Sequence, residues 1–360
     1  MRIRKITSIP VAIPYLPPVG PYQGGGKRNV TGPGTTGARA LVVKIETEEG
    51  ATGWGEGIGS FNTNPDELLK RRETSDIEGA LTAMDEAGID KGPMSGVEMA
   101  MWDLVGKEAG LPLFEVFGGA VRDTVDFCGC MGIKEPPASA DAALEYIDRW
   151  GFRFIKTKAG NSEEQDLSIA RAIVEAISDR ATLRPDANSG YSPEEAEPVV
   201  RQLVELGVPF FEDPCAPTET EALSHFRNDL GMKILVNAGV GTSASVLPVL
   251  NAGVADYLMP DTVGSGGLLP VRKVATVAEA FGIDCLMHCA HDLGLKTASI
   301  THIAAATPNF SGPNDTCYHG LSDDILTEPL RFENGAIRVP NAPGLGVEVD
   351  ESKVEKYSSG

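Results

Sequence analysis

The chain has 360 residues, 42% hydrophobic and 23% charged, and its 51 acidic against 31 basic side chains give a formal net charge of -20. That length supports one large domain with a smaller one, and the acidity argues against a general binder of nucleic-acid backbone, which needs a basic face. The proline-broken start, the lack of a long apolar run and six scattered cysteines point away from a signal peptide, a membrane span and a disulfide framework, so a reduced cytoplasmic enzyme is expected.

In chain order, β-branched residues predict strands over 4–15 and 40–47, with 51–56 completing a meander after the Glu49-Gly50 turn. Between the first two lies a stretch, 17–36, dense in Gly and Pro and poor in apolar anchors. It reads as a mobile loop, on the residues alone more a surface excursion than a lid. Helical patterns follow over 75–87 and 95–108, the second with Ser95 as its N-cap. From about residue 125 short apolar runs alternate with helical segments. Strands are predicted at 125–129, 154–158, 182–186, 209–212, 234–237, 257–261 and 284–288, and helices at 138–150, 163–177, 193–206, 219–228, 243–251, 267–281 and 297–306. Seven strands in this rhythm fit a closed (β/α) barrel better than an open doubly wound sheet. The tail from 328 returns to β-type sequence and is expected to pack back on the first domain.

Six of the predicted strands end in polar residues that suit chemistry: Lys158, Asp186, Glu212, Asn237, Asp261 and His288, spaced 24 to 28 residues apart. In a closed barrel all six converge on the C-terminal face, where barrel enzymes keep their active sites. Asp186, Glu212 and Asn237 offer only hard oxygen donors from adjacent strands, which suits Mg²⁺; zinc would recruit His or Cys. Asn188 shares the face of Asp186, whereas Asp213 should point away from that of Glu212. Lys156 and Lys158 lie two residues apart on one face, and mutual repulsion with a nearby cation should lower their pKa toward that of a general base. Asp261 can orient the His288 imidazole as a second acid/base, and His291, three residues into the loop, is a weaker candidate. A metal holding a substrate carboxylate would offset the charge left when the α-proton is removed. Protonation of a departing hydroxyl by His288 then gives dehydration, and return of the proton to carbon gives racemisation or epimerisation.

GVEMAMWDLVGKEAGLPLFEVFGG (96–119), FIKTKAG (154–160), RPDANSG (184–190) and FFEDPC (210–215), in this order and spacing, resemble the enolase superfamily over nearly the whole chain. The resemblance implies a modified TIM barrel, (β/α)7β, at 125–320, an α+β N-terminal capping domain at 1–124, and a C-terminal segment at 321–360 completing the cap. It implies Lys158 as the base with Lys156 beside it, and Mg²⁺ as cofactor. YLMPD (257–261) lacks the second lysine of the muconate-lactonizing type, and the Asp261–His288 pair is similar to the mandelate-racemase and glucarate-dehydratase types. Asn237 in LVNAG, the run MHCAHDLGLKTASITHIAAATP (287–308) and the ending TEPLRFENGAIRVPNAPGLGVEVD (327–350) are similar to the glucarate-dehydratase subgroup, although this chain is shorter and its GGGKRNVTG segment (24–32) differs. The resemblance turns the 17–36 loop into a substrate lid, with Lys27, Arg28 and Asn29, alongside Asn188 and His291, as substrate contacts. The implied enzyme is an acid-sugar dehydratase acting on a small carboxylate; the acidity and the lack of an apolar span lead one to expect no nucleic-acid or membrane partner, and the large helix-covered barrel a symmetric homo-oligomer. A racemase or epimerase using the same pair is the nearest alternative. A catalytically silent binding barrel is the alternative of another class, and every charged position of the machinery being occupied speaks against it.

Overall fold

In the computed structural model, which describes residues 1–25 and 34–358, the β-rich start forms an antiparallel sheet of β1 (Ile3–Pro14), β2 (Gly37–Thr47) and β3 (Thr52–Gly57). Alternation along β2 sends Leu41, Val43 and Ile45 into one core with Val97, Met101 and Leu104, while Ala38, Ala40 and Val42 join the main core of the molecule. Glycine at every second position of β3 lets the helix Lys91–Ala109 lie directly on that strand. A Cβ added to Gly53, Gly55 or Gly57 would sit 2.1 to 2.4 Å from a carbonyl oxygen of the helix. That helix begins four residues before the predicted Ser95 cap, because Pro93 falls in its first turn, where no N–H bond is lost. Ser95 is instead buried inside the helix and donates to the Gly92 carbonyl at 2.7 Å.

The remaining strands are β4 (Thr124–Met131), β5 (Phe154–Lys158), β6 (Thr182–Asp186), β7 (Phe210–Glu212), β8 (Lys233–Val236), β9 (Tyr257–Leu258), β10 (Asp284–Cys285), β11 (Asn314–Thr316) and β12 (Ala336–Arg338). From β4 to β11 they run parallel in the order β10-β9-β8-β7-β6-β5-β4-β11, with helices between successive strands. The two ends of that order meet where the Asp315 N–H donates to the Met287 carbonyl at 2.9 Å. The modified (β/α)7β barrel is therefore present, with an eighth strand that strand propensity does not foresee: Asn314–Thr316 is Asn-Asp-Thr. β9 and β10 are shorter than predicted, yet Leu286 and His288 still donate to the carbonyls of Leu258 and Pro260, which carries both chains up to the rim. The helix predicted from 243 begins at Leu247, because Thr242 and Ser245 first exchange side-chain-to-backbone bonds at 3.0 Å. After the barrel, β12 pairs antiparallel with β4, and the chain then reaches the first sheet, where Ser358 bridges Val11 and Glu351 pairs with Lys44 at 2.7 Å. No helix among the described residues is long and apolar enough to cross a membrane.

Candidate active site

Period-two alternation turns Lys156 and Lys158 of β5, and Arg184 and Asp186 of β6, into the barrel, while Ile155 and Leu183 join the main core. Register sets Lys158 beside Asp186 and Asp186 beside Glu212, so the ends of three neighbouring strands meet. Lys158 Nζ lies 2.5 Å from Asp186 Oδ2. Lys156 Nζ lies 3.0 Å from that oxygen, 2.7 Å from Glu212 Oε1 and 2.8 Å from Asp315 Oδ2. Arg184 contacts Asp315 beneath them. Asp186 and Glu212 are fully buried, and Glu212 Oε2 has no hydrogen-bond partner.

Among the side chains alone, Lys156 does not show the lowered pKa that its lysine neighbour would impose. Burial opposes its charge, but the carboxylates of Asp186 and Glu212 outweigh that and hold the pKa above the ordinary lysine value. Repulsion between neighbouring cations would lower it; the carboxylates packed between them reverse the balance. Asp186 is correspondingly held below the usual carboxylate range, Lys156 and Lys158 overcoming its burial. Asp213 turns toward the next strand, accepting the N–H groups of Asn237 (3.0 Å) and Ala238 (2.9 Å); burial, then Glu212 and Asp186, push it up to about 8. Asn237 donates its amide to the Met259 carbonyl at 2.7 Å, which leaves its amide oxygen for the cavity it lines.

On the other wall His288 Nδ1 lies 2.9 Å from Asp261 Oδ2. Asp261 Oδ1 accepts the Val263 N–H at 3.1 Å, capping the short helix Thr262–Ser265, and takes Lys296 Nζ at 2.7 Å. Lys296 also holds Asp292 Oδ1 at 2.8 Å and is buried. Burial opposes the Lys296 charge, yet Asp261 and Asp292 raise its pKa; burial pushes Asp292 up to about 7. Glu56 of β3 accepts the N–H groups of Leu293 (2.7 Å) and Lys296 (2.8 Å), which ties the first sheet to the helix Gly294–Ala306.

Between the walls lies a cavity of about 400 Å³ lined by Lys156, Lys158, Asn188, Asn237, His288, His291 and Asp315. Asn188 does share the face of Asp186, donating its backbone N–H to Oδ1 at 2.8 Å. His291, with φ of 65°, has its Nδ1 2.9 Å from the Tyr15 hydroxyl and meets Tyr22 edge to face; burial lowers its pKa, which favours the neutral ring. Tyr22, Gln23, Gly24, Gly34 and Thr35 bring both flanks of the 17–36 segment over the cavity, and the Gln23 carbonyl accepts the Ile133 N–H at 2.8 Å. Lys27, Arg28 and Asn29 lie outside the described residues. Sequence reasoning missed Asp315 and Lys296. Asp315 left no signal in its short polar strand, whereas Lys296, alone in the apolar run LGLKTASITHIAAA four residues after Asp292, could have been noticed.

Two family models match the chain: the mandelate racemase / muconate lactonizing enzyme N-terminal domain over 30–118 and the enolase C-terminal domain-like model over 138–353. The chain is 29% identical to a "Probable glucarate dehydratase" of Streptomyces coelicolor, across 87% of this chain and 83% of that one. It is 28% identical to a D-galactarolactone cycloisomerase of Agrobacterium fabrum, across 88% and 90%. A crystal structure of an enolase from Streptomyces coelicolor superposes with a TM-score of 0.86 at 27% identity, covering 99% of this chain and 96% of that one.

Proposed function

The chain belongs to the mandelate racemase / muconate lactonizing enzyme family of the enolase superfamily, and on that premise we propose that it is a Mg²⁺-dependent dehydratase of acid sugars. One observation carries the reading. Lys158 and the Asp261-held His288 stand on strands with two others between them on one side of the barrel and four on the other, across a cavity lined by Asn237, with Asp186 in contact with Lys158 and Glu212 beside it in register.

Asp186, Glu212 and Asn237 would hold the cation. The fit rests on the all-oxygen donor set, on Glu212 Oε2, which accepts no hydrogen bond and meets only Arg184 Nε at 3.7 Å, and on the amide oxygen of Asn237 left by its bond to Met259. When bound, the metal supplies Lewis-acid stabilisation of the charge that builds on the substrate carboxylate. Lys158 Nζ takes the α-proton, and Lys156, held as an ammonium by its carboxylates, adds positive charge beside the resulting carbanion. His288, with Nδ1 fixed by Asp261, presents Nε2 to the opposite face and protonates the departing β-hydroxyl as water. The product is a 2-keto-3-deoxy acid. Asn188, His291 and the flanks of the 17–36 lid read the distal hydroxyls, and Lys27, Arg28 and Asn29 of the same sequence segment are further candidate contacts.

The same pair can return the proton to carbon, and the cycloisomerase relative favours keeping isomerisation as the second reading. Incubation with a panel of aldarates and aldonates in D₂O separates the two. Keto-deoxy products whose formation stops in Lys158→Ala and in His288→Asn are expected. Deuterated epimers with no keto product would replace the dehydratase by an epimerase.

A further inference from the structure

Three of the six cysteines meet where the barrel closes. Cys130 lies in β4, Cys317 directly follows β11 and Cys289 follows β10, so neighbouring strands deliver one thiol each to the same side of the cavity. Their Sγ atoms all lie within 4.8 Å of one another, and Cys289 Sγ is 3.9 Å from Cys317 Sγ. Cys130 and Cys317 are 1% exposed and Cys289 9%. A metal–sulfur bond of about 2.3 Å, the zinc value, requires sulfurs about 4.0 Å apart in a trigonal plane and about 3.8 Å apart on a tetrahedral face, and a larger cation such as Cd²⁺ needs them somewhat wider. One pair already has that spacing, and the others close to it by small side-chain rotations.

Nothing strong competes for these thiols. Their hydrogen bonds are long: Cys130 Sγ to the Cys128 carbonyl at 3.6 Å, and Cys317 Sγ to the Cys130 carbonyl at 4.0 Å. We propose that Cys130, Cys289 and Cys317 form a three-sulfur site for a soft, thiophilic d¹⁰ cation of the Cu(I) and Cd(II) type. The barrel mouth thereby carries two donor sets that sort metals by softness: carboxylate and amide oxygens at the ends of β6, β7 and β8, and thiols at the β10–β11–β4 closure. Loading converts each thiol to a metal-bound thiolate and releases its proton to solvent. Because Cys289 adjoins His288, a soft ion there occupies the side of the cavity that the acid/base histidine lines.

The test titrates the fully reduced protein with Cd²⁺ in excess Mg²⁺, following thiolate-to-metal charge-transfer absorption and the cadmium X-ray absorption edge. One Cd²⁺ per chain with three sulfur neighbours is expected in the wild type, a measurement that needs no variant to fold. Cys317→Ser should weaken binding at least about tenfold, the lower bound for disturbing even an outer-sphere partner, while Cys215→Ser leaves it unchanged. A cadmium shell of oxygen and nitrogen only, or a band that survives intact in a folded Cys317→Ser protein, would overturn the site.

Discussion

Replacing Lys296 by Met tests whether the histidine wall is held by a buried charge network. The side chain is 1% exposed and bridges Asp261 (2.7 Å) to Asp292 (2.8 Å). Removing one member of a buried pair leaves an uncompensated charge, at a cost of about 3–5 kcal/mol. Asp292, already pushed up to about 7, can adapt by taking a proton, so the loss concentrates on Asp261 and falls toward the lower figure. With a urea dependence of about 3 kcal/mol per molar for a large domain, the unfolding midpoint should drop by about 1 M. Adding Asp261→Asn in the same background should restore part of the loss, because the orphan charge goes with it, whereas Asp292→Asn should restore little. The fall should also resist salt, since the group is buried. In D₂O, α-proton exchange on the His288 face should fall while exchange on the Lys158 face persists. A midpoint shift below about 0.3 M, or effects of Lys296→Met and Asp261→Asn that simply add, would refute the network.

Asn237→Ala removes the amide oxygen left to the cavity and should weaken Mg²⁺ binding about tenfold or more by calorimetry; unchanged affinity would take Asn237 out of the ligand set. Glu98 is buried and caps the helix Leu268–Ala280 through the N–H groups of Leu268 and Leu269, both at 2.8 Å; burial pushes its pKa to about 7. A raised carboxyl pKa contributes stability that is present below the unfolded value and lost as pH rises through the folded one. Wild-type protein should therefore lose up to about 3 kcal/mol from this group between pH 5 and pH 8. Glu98→Gln should not lose it, so the gap between their melting temperatures should narrow with pH, and a constant gap would be contrary. A Cβ on Gly25 would meet the Ala159 carbonyl oxygen at 2.4 Å and Lys158 Cβ at 2.9 Å. Gly25→Ala should cut turnover about tenfold or more by displacing the segment or the lysine, with little change in melting temperature; normal kinetics would show that this contact is idle.

The rim of the barrel was legible because it is written in local terms. Strand runs of four or five residues, each closed by one polar side chain at βα spacing, identify Lys158, Asp186, Glu212, Asn237, Asp261 and His288 without any knowledge of pairing. Alternation carries past the end of β6: Asn188, two residues beyond Asp186, lines the cavity. Partners that arrive from other parts of the chain are a different matter. Asp315 lies 159 residues from Lys156, in a strand with no apolar residue, so nothing local announces the bond it makes to that lysine at 2.8 Å.

The contacts that join the first sheet to the barrel were equally invisible, since a lone Glu in an apolar strand or helix has no periodicity to betray it. Glu56 and Glu98 each place a buried carboxyl on the N-terminal N–H groups of a barrel helix, satisfying donors the helix leaves open, although burial outweighs those bonds and raises both pKa values. For Glu56 the consequence reaches the chemistry. The N–H groups it fixes belong to Leu293 and Lys296, the Lys296 ammonium fixes Asp261, and Asp261 fixes His288. The sheet that carries the cavity's covering segment thus also sets the position of the proposed acid, so shifting the sheet would displace cover and acid together.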